Sequence, residues 1–160
     1  MTDTTAQATE LLTQARAAAA GDDHTTALRL LKDGAARFAD DAAIAYQLGA
    51  EFAHLELFDA AEEQMSRALA LDAGQHAARF HLGLLQITRS RFPEAVATWQ
   101  ALDALADDHA LRLYKQAFEI LVEDRFDPAR ALLTRGLAAT GSTPALDHEM
   151  RKLLASLPAS

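Results

Sequence analysis

Small and large apolar residues recur along this chain at one constant interval. An alanine marks the same point of four segments, at Ala27, Ala61, Ala95 and Ala129. A large apolar residue stands four positions after each alanine, at Leu31, Met65, Trp99 and Leu133. A very small residue stands twelve positions before each alanine, at Ala15, Gly49, Gly83 and Ala117. Several independent columns that share one period indicate an internal repeat.

The columns have a physical meaning in a hairpin of two helices. A small residue in the first helix and an alanine in the second let the two backbones approach closely. The large residue one turn later lies on the same face of the second helix and fills the next layer. Since one hairpin cannot bury both of its faces, neighbouring hairpins must stack. The pattern therefore predicts an all-α solenoid.

Turn and cap signals divide the repeats into helices. The predicted helices lie near 7–20, 24–38, 41–55, 58–71, 75–89, 93–105, 109–123 and 127–139. Asp40 or Asp41, and Asp107 or Asp108, are the predicted N-caps of their helices. Pro93 and Pro128 fit the first turn of a helix, where a missing N–H is harmless.

A ninth helix is predicted after the repeats, with Thr143 as its cap and Pro144 as its first residue. Its apolar side would consist of Leu146, Met150, Leu153, Leu154 and Leu157. The predicted layout is a flexible amino-terminal segment, four repeats, and a capping helix with a short tail. These segments are 1–7, then 8–41, 42–75, 76–109 and 110–141, then 142–160.

Charge and composition exclude several classes of function. The net charge of −8 disfavours nucleic acid, because phosphate binding needs a concentrated basic surface. The absence of cysteine excludes disulfides and thiolate metal sites. We expect a cytoplasmic protein without membrane insertion, because residues 1–10 lack the features of a secretory signal and no apolar run is long enough to span a bilayer.

The sequence resembles the tetratricopeptide repeat family, in particular its small bacterial-type members. The matching motifs are Leu48-Gly49 with Phe52, Ala61, Met65 and Ala68, and then Leu82-Gly83 with Ala95 and Trp99. The chain departs from the family pattern at the final proline of each repeat and at the opening tryptophan. The resemblance covers residues 8–141 and implies a right-handed α-solenoid whose first helices line a concave face.

The resemblance also implies which positions of each first helix contact a ligand. The predicted peptide-binding residues are Leu12, Arg16, Tyr46, Gln47, His54, Phe80, His81, Leu84, Tyr114, Lys115 and Phe118. Tyr46, Phe80 and Tyr114 form an aromatic column, and none of the 24 carried-over positions is acidic. These features predict an apolar groove for a peptide or helix segment of a partner protein. The alternative is that the carboxyl-terminal helix or a second copy of the chain covers the aromatic column.

The residues of the predicted groove indicate which class of tetratricopeptide protein the chain is similar to. The carboxylate clamp of chaperone-binding tetratricopeptide domains is not recognisable here, since Leu12, Gln47, Ala77 and His81 stand on the corresponding surface. In general character the chain is similar to type III secretion translocator chaperones, which are small, acidic and cytoplasmic. Their usual number of repeats is three, whereas four are predicted here.

The sequence offers no candidate catalytic residues. It has no glycine-rich phosphate loop after a strand, and no serine in a nucleophile elbow. The six histidines form no His-x-x-x-His pair, so we expect neither a metal nor another cofactor. The predicted function is a non-enzymatic protein-interaction scaffold, adaptor or chaperone. The alternative is a structural assembly subunit that uses the same face to form a homodimer or larger oligomer.

Overall fold

The structure, a computed structural model, describes residues 2–159, and of Thr2 the backbone alone. Over this range the chain forms nine α-helices, one 3₁₀ segment and no β-strand. The helices are α1 (Thr2–Ala20), α2 (His24–Arg37), α3 (Ala42–His54), α4 (Phe58–Leu71), α5 (His76–Thr88), α6 (Phe92–Trp99), α7 (Ala110–Leu121), α8 (Phe126–Ala138) and α9 (Pro144–Ser156). The 3₁₀ segment Gln100–Ala104 follows α6 directly.

The chain divides into two compact units, Met1–Leu85 and Gln86–Ser160, and the division falls within α5. In the first unit α1 pairs with α2 and α3 pairs with α4, while α2 also packs against α3. In the second unit α7 pairs with α8, α9 packs against α8, and the 3₁₀ segment contacts α6 and α7. The hairpin is thus the building element within each unit.

The columns of the repeat form the core, as predicted. Ala27, Ala61 and Ala129 are fully buried, and Ala95 is nearly so. The four large partners are buried as well: Leu31, Met65, Trp99 and Leu133. At Gly49, an added Cβ would lie 3.0 Å from Met65 Cε and 3.3 Å from the Ala61 carbonyl oxygen. A residue larger than alanine there would push the two helices of the hairpin apart.

The turns inside the hairpins recur with the period of the repeat. Their left-handed residues are Asp22, Glu56, Ser90 and Asp124, which occupy the same position of successive repeats and have φ between 56° and 66°. In three of the turns the next amide donates back across the turn: Asp23 to Ala18 (2.8 Å), Leu57 to Phe52 (2.9 Å) and Arg91 to Gln86 (2.8 Å). This is the Schellman arrangement, which closes a helix end and usually places glycine at the left-handed position. The sequence did not reveal these positions because none of them is glycine.

Two predicted boundaries need correction. Helix α1 begins at Thr2 instead of residue 7, so the segment predicted to be a flexible amino terminus is helical from Thr2 onward. Its residues favour this, since 2–10 contain neither glycine nor proline. Met1, which was included in the predicted flexible segment, and Ser160, which ends the predicted tail, lie outside the described residues.

The second helix of the third repeat is shorter than predicted. It ends as an α-helix at Trp99 and continues as the 3₁₀ segment to Ala104, where an α-helix to 105 was expected. The change occurs beside Leu102, a fully buried residue at the position that Gly34, Ala68 and Gly136 occupy in the other repeats. The larger side chain coincides with the tighter backbone winding.

The capping predictions are confirmed in two of three cases. Asp41 accepts a hydrogen bond from the Ile44 amide at 3.0 Å, and Thr143 accepts one from the Leu146 amide at 3.3 Å. The prediction of Asp107 or Asp108 was wrong, because α7 is capped by His109, whose Nδ1 accepts from the Leu111 amide at 3.1 Å. An unprotonated imidazole nitrogen is a competent acceptor here.

Candidate functional site

The aromatic column predicted to line a groove lies in the core. Tyr46 is 2% exposed, and Phe80 and Tyr114 are fully buried. Leu12, the first member of the same column, belongs to a buried cluster of Leu11, Ala15, Leu31, Ile44 and Leu48. In this structure these four predicted peptide-binding residues therefore hold helices together and do not present a surface to a ligand.

Tyr114 shows what covers one of these rings. Its hydroxyl donates to Asp147 Oδ1 of α9 at 2.6 Å. Burial, and secondarily the Asp147 carboxylate, raise the pKa of Tyr114, so the hydroxyl remains a donor. The carboxyl-terminal helix therefore contacts the hydroxyl end of Tyr114, while the ring itself lies against Gly136 of α8.

Polar members of the predicted site come together in the first unit. The exposed Arg16 of α1 donates from Nε to Gln47 Oε1 of α3 at 3.4 Å. One residue before Gln47, the Tyr46 ring packs edge-on against the His81 ring of α5, with centroids 6.1 Å apart. Half-buried Leu84 lies one helical turn beyond His81 on the same face of α5. The structure thus aligns residues from three successive first helices.

His81 is the least satisfied polar residue of this group. It is 4% exposed, and its Nδ1 has no hydrogen-bond partner among the described residues. Burial lowers the pKa of His81 to about 4, so the ring is neutral at physiological pH. A buried polar atom without a partner is uncommon in folded proteins.

His54 belongs to a second cluster, at the junction of α2 and α3. Its ring stacks on His24 with centroids 4.0 Å apart. His24 Nδ1 lies 2.8 Å from Glu51 Oε2, and His24 Nε2 lies 3.1 Å from Asp22 Oδ1. The Glu51 hydrogen bond raises the pKa of His24 against the opposing effect of burial. The signal for this cluster was His24 itself, which stands where the other repeats have phenylalanine.

The second unit contains the remaining predicted site residues. Lys115 donates to Asp103 Oδ1 at 2.7 Å and to Glu119 Oε1 at 3.0 Å. Partial burial opposes the charge of Lys115, but its two carboxylate partners outweigh burial and raise its pKa. Half-buried Phe118 packs edge-on against Trp99 at 5.3 Å between centroids.

The expectation of a first-helix face without acid needs correction on both units. None of the 24 predicted positions is acidic, but Glu119 of α7 bonds the predicted residue Lys115. Glu51 of α3 bonds His24, which lies outside the 24 positions and stacks on the predicted residue His54. Asp103 bonds Lys115 as well. Lys115 is thereby neutralised, and Arg16 is left as the main positive group of the predicted site.

Within residues 2–159 no group of three or more histidine, aspartate or glutamate side chains is arranged to hold a metal ion. Among the helices of the same range, none combines the length and the apolar character that crossing a bilayer requires.

Comparisons with known proteins show the fold. No protein-family model matches the chain, and no curated protein is significantly similar to it in sequence. Among solved structures, it is similar to a crystal structure of MamA at a TM-score of 0.63 and 18% identity, over 91% of this chain and 80% of that chain. A second MamA crystal structure gives a TM-score of 0.62 at 19% identity, over 98% and 87%. MamA from residue 41 to its end, from Desulfovibrio magneticus RS-1, gives 0.62 at 18% identity, over 82% and 74%.

At this level of identity the likeness carries fold information alone. It confirms the predicted fold class, an all-α solenoid of tetratricopeptide type.

Proposed function

We propose that the protein is a non-enzymatic interaction scaffold that holds a peptide segment of a partner protein on the first helices of its amino-terminal unit. The proposed surface, called the first-helix patch, presents the exposed Arg16 and the half-buried Leu84 to a peptide, and the buried Gln47, Ala50 and His81 form its floor. These residues occupy two neighbouring columns of the repeat on α1, α3 and α5. Stacked helical repeats commonly use such a surface, assembled from successive repeats, to bind extended segments.

The observation that carries the proposal is the Arg16–Gln47 contact beside the unsatisfied His81. The exposed guanidinium of Arg16 reaches from one repeat to the next and can form charge-assisted hydrogen bonds with a carboxylate of the peptide. His81 Nδ1 needs a partner that the described residues do not supply. Half-buried Leu84 adds an apolar contact at the end of the row. The patch therefore suits a short segment with one acidic and one apolar side chain.

The buried aromatic residues change how this function is tested. Replacing Tyr46, Phe80 or Tyr114 by alanine would remove core side chains and destabilise the chain by about 3–5 kcal/mol each. Loss of binding in such variants would not distinguish a contact from unfolding. The test therefore uses substitutions on the surface.

The immobilised protein is used to capture partners from cell extract, and bound proteins are quantified for the wild type, Arg16→Glu and Leu84→Asp. The matched control is Arg29→Glu, the same charge reversal on the exposed outer side of α2. We expect capture of a specific partner to fall at least tenfold in the two patch variants and to persist in the control, with unchanged helicity in all of them. Equal capture by Arg16→Glu and Arg29→Glu would reject the patch.

Two narrower predictions from the sequence remain hypotheses. A cytoplasmic location and a chaperone role of the secretion type both depend on the identity of the partner. Identification of the captured protein by mass spectrometry tests both, because a secreted translocator would support the chaperone role and a partner resident in another compartment would contradict the location.

A further inference from the structure

The outward side of α6 and of the 3₁₀ segment after it is largely apolar, although Glu94, Gln100 and Asp103 are also exposed on these two elements. Phe92 is 56% exposed and Val96 is 71% exposed. The other exposed apolar residues of this side, called the α6 face, are Pro93, Ala97, Ala101 and Ala104. The opposite side, with Ala95, Trp99 and Leu102, is buried. The helix thus has apolar residues on both sides.

The outward sides of the corresponding helices are charged. The exposed residues of α2 include Arg29, Lys32, Asp33 and Arg37, and those of α4 include Asp59, Glu63 and Arg67. On α8 they include Asp127 and Arg135, whereas α6 exposes one charge, Glu94, and the 3₁₀ segment exposes one, Asp103. A contiguous apolar patch with a polar rim is typical of an interaction surface.

We propose that the α6 face is the contact between two copies of this chain, with the two α6 helices antiparallel about a twofold axis near Ala97. The large residues Phe92 and Val96 stand in the first half of the face, and Ala97, Ala101 and Ala104 stand in the second half. An antiparallel pairing centred near Ala97 places the half of the face with large side chains in each copy against the half with small side chains in the other. Such self-complementarity is what a twofold interface requires.

The charges around the face favour the same arrangement. Arg89, Arg91 and Glu94 lie at its amino-terminal end, which leaves one net positive charge there, and Asp103 lies at its carboxyl-terminal end. Antiparallel pairing brings the basic end of one copy to the acidic end of the other, whereas parallel pairing brings like charges together. Arg91 bonds Glu94 at 3.0 Å and Lys115 bonds Asp103 at 2.7 Å, but both pairs are partly exposed and can share their charge with the other copy.

The size of the α6 face determines how tightly the two copies are expected to bind. One short helix and a 3₁₀ segment bury less than the roughly 800 Å² per partner of a standard interface. The net charge of −8 on each copy adds a repulsion that salt reduces. We therefore expect a weak dimer that forms with increasing protein concentration, and forms more readily at high salt than at low salt.

The first test is a disulfide at the proposed axis. The sequence has no cysteine, so Ala97→Cys provides a single thiol at the position that meets its own copy. The matched control is Ala131→Cys, one repeat later at the equivalent exposed position of α8. Under mild oxidation we expect Ala97→Cys to form covalent dimer at least tenfold faster than Ala131→Cys. Equal rates would overturn the proposal.

The second test is sedimentation equilibrium of the full chain. Val96→Arg should raise the dimer dissociation constant about 30-fold, the effect of losing a central anchor. Val122→Arg is the control, because Val122 is 85% exposed at the end of α7 and outside the face. Asp103→Arg should weaken the dimer, and adding Arg91→Asp should restore it. A wild type that stays monomeric at millimolar concentration, or a dimer that persists in Val96→Arg, would overturn the proposal.

Discussion

The hydroxyl of Tyr114 donates a hydrogen bond of 2.6 Å to Asp147 and so ties α7 to α9. The ring is fully buried, while the carboxylate is half-buried. A hydrogen bond to a charged acceptor in such a setting is stronger than one between neutral groups. The contact gives the last helix a specific attachment in addition to its buried Leu146 and Met150.

Removing the hydroxyl should therefore weaken the attachment of α9. We expect Tyr114→Phe to lower the free energy of unfolding by about 1–2 kcal/mol, since the ring packing is kept and the hydrogen bond is lost. Urea denaturation monitored by circular dichroism measures the change. A double-mutant cycle with Asp147→Ala isolates the pair, and a coupling energy near zero would show that the hydroxyl contributes nothing through Asp147.

Gly136 makes room for the same ring. A Cβ at position 136 would lie closer to Tyr114 Cε1 than two carbon atoms can approach. We expect Gly136→Ala to destabilise the chain by about 1–3 kcal/mol, because the ring must shift within a packed core. Thermal melting measures this, with Gly21→Ala as the control. An added Cβ at Gly21 would lie 3.5 Å from the Ala17 carbonyl oxygen, an ordinary contact, so the control should leave the melting temperature nearly unchanged.

The left-handed turn at Ser90 carries a steric cost that a substitution can remove. Ser90 has φ of 61°, a conformation that glycine adopts without the penalty of a side chain. We expect Ser90→Gly to raise the free energy of unfolding by up to about 1 kcal/mol. The matched control is Ser66→Gly, the same substitution at an exposed position inside α4, which should lower it by about 0.5 kcal/mol. Shifts of the same sign in both variants would contradict the interpretation of the turn.

His81 should make the free energy of unfolding depend on pH. Burial lowers its pKa to about 4 from an ordinary value of 6.5. Below pH 6.5 the unfolded chain binds a proton at this residue and the folded chain does not, so stability falls as the pH drops from 6.5 to about 4. We expect His81→Leu to remove a pH-dependent loss on the order of 2–3 kcal/mol over this range. Urea midpoints measured at several pH values test this, and parallel curves for wild type and variant would contradict it.

His24 provides a comparison of opposite sign. Its pKa is raised, chiefly by the hydrogen bond to Glu51, so its contribution to stability is present below pH 6.5 and is lost as the pH rises through the folded pKa. We expect His24→Gln to lower the free energy of unfolding mainly below pH 6.5. The same urea midpoints measure it, and a loss confined to alkaline pH would contradict the role assigned to Glu51.

Much of the fold could be predicted because the same small and large apolar positions recur in all four repeats. Ala61 and Met65 face Gly49 in the hairpin, and each stands in a column that is visible in the sequence. The cap at His109 could not be predicted in this way, because histidine caps through a ring nitrogen whose direction depends on the fold. The 3₁₀ segment depends on how Leu102 fits its surroundings, which no periodicity expresses.

The candidate site was less predictable than the fold. A first-helix position looks the same in sequence whether its side chain is buried or exposed, and so Tyr46 and Phe80 were assigned to a surface that they do not reach. Their burial depends on neighbouring helices. Lys115 was predicted to supply a polar contact to a peptide, but Asp103, twelve residues away in the chain, forms an ion pair with it. Contacts of this kind come from packing and not from spacing.

The recurrence of the left-handed turn at Asp22, Glu56, Ser90 and Asp124 has a consequence for the growth of the chain. Because each hairpin reverses direction with the same backbone geometry, a duplicated or deleted stretch of one whole repeat would rejoin its neighbours without a new kind of junction. Length can therefore change in whole modules, by recombination or by design, while the geometry of each joint is preserved.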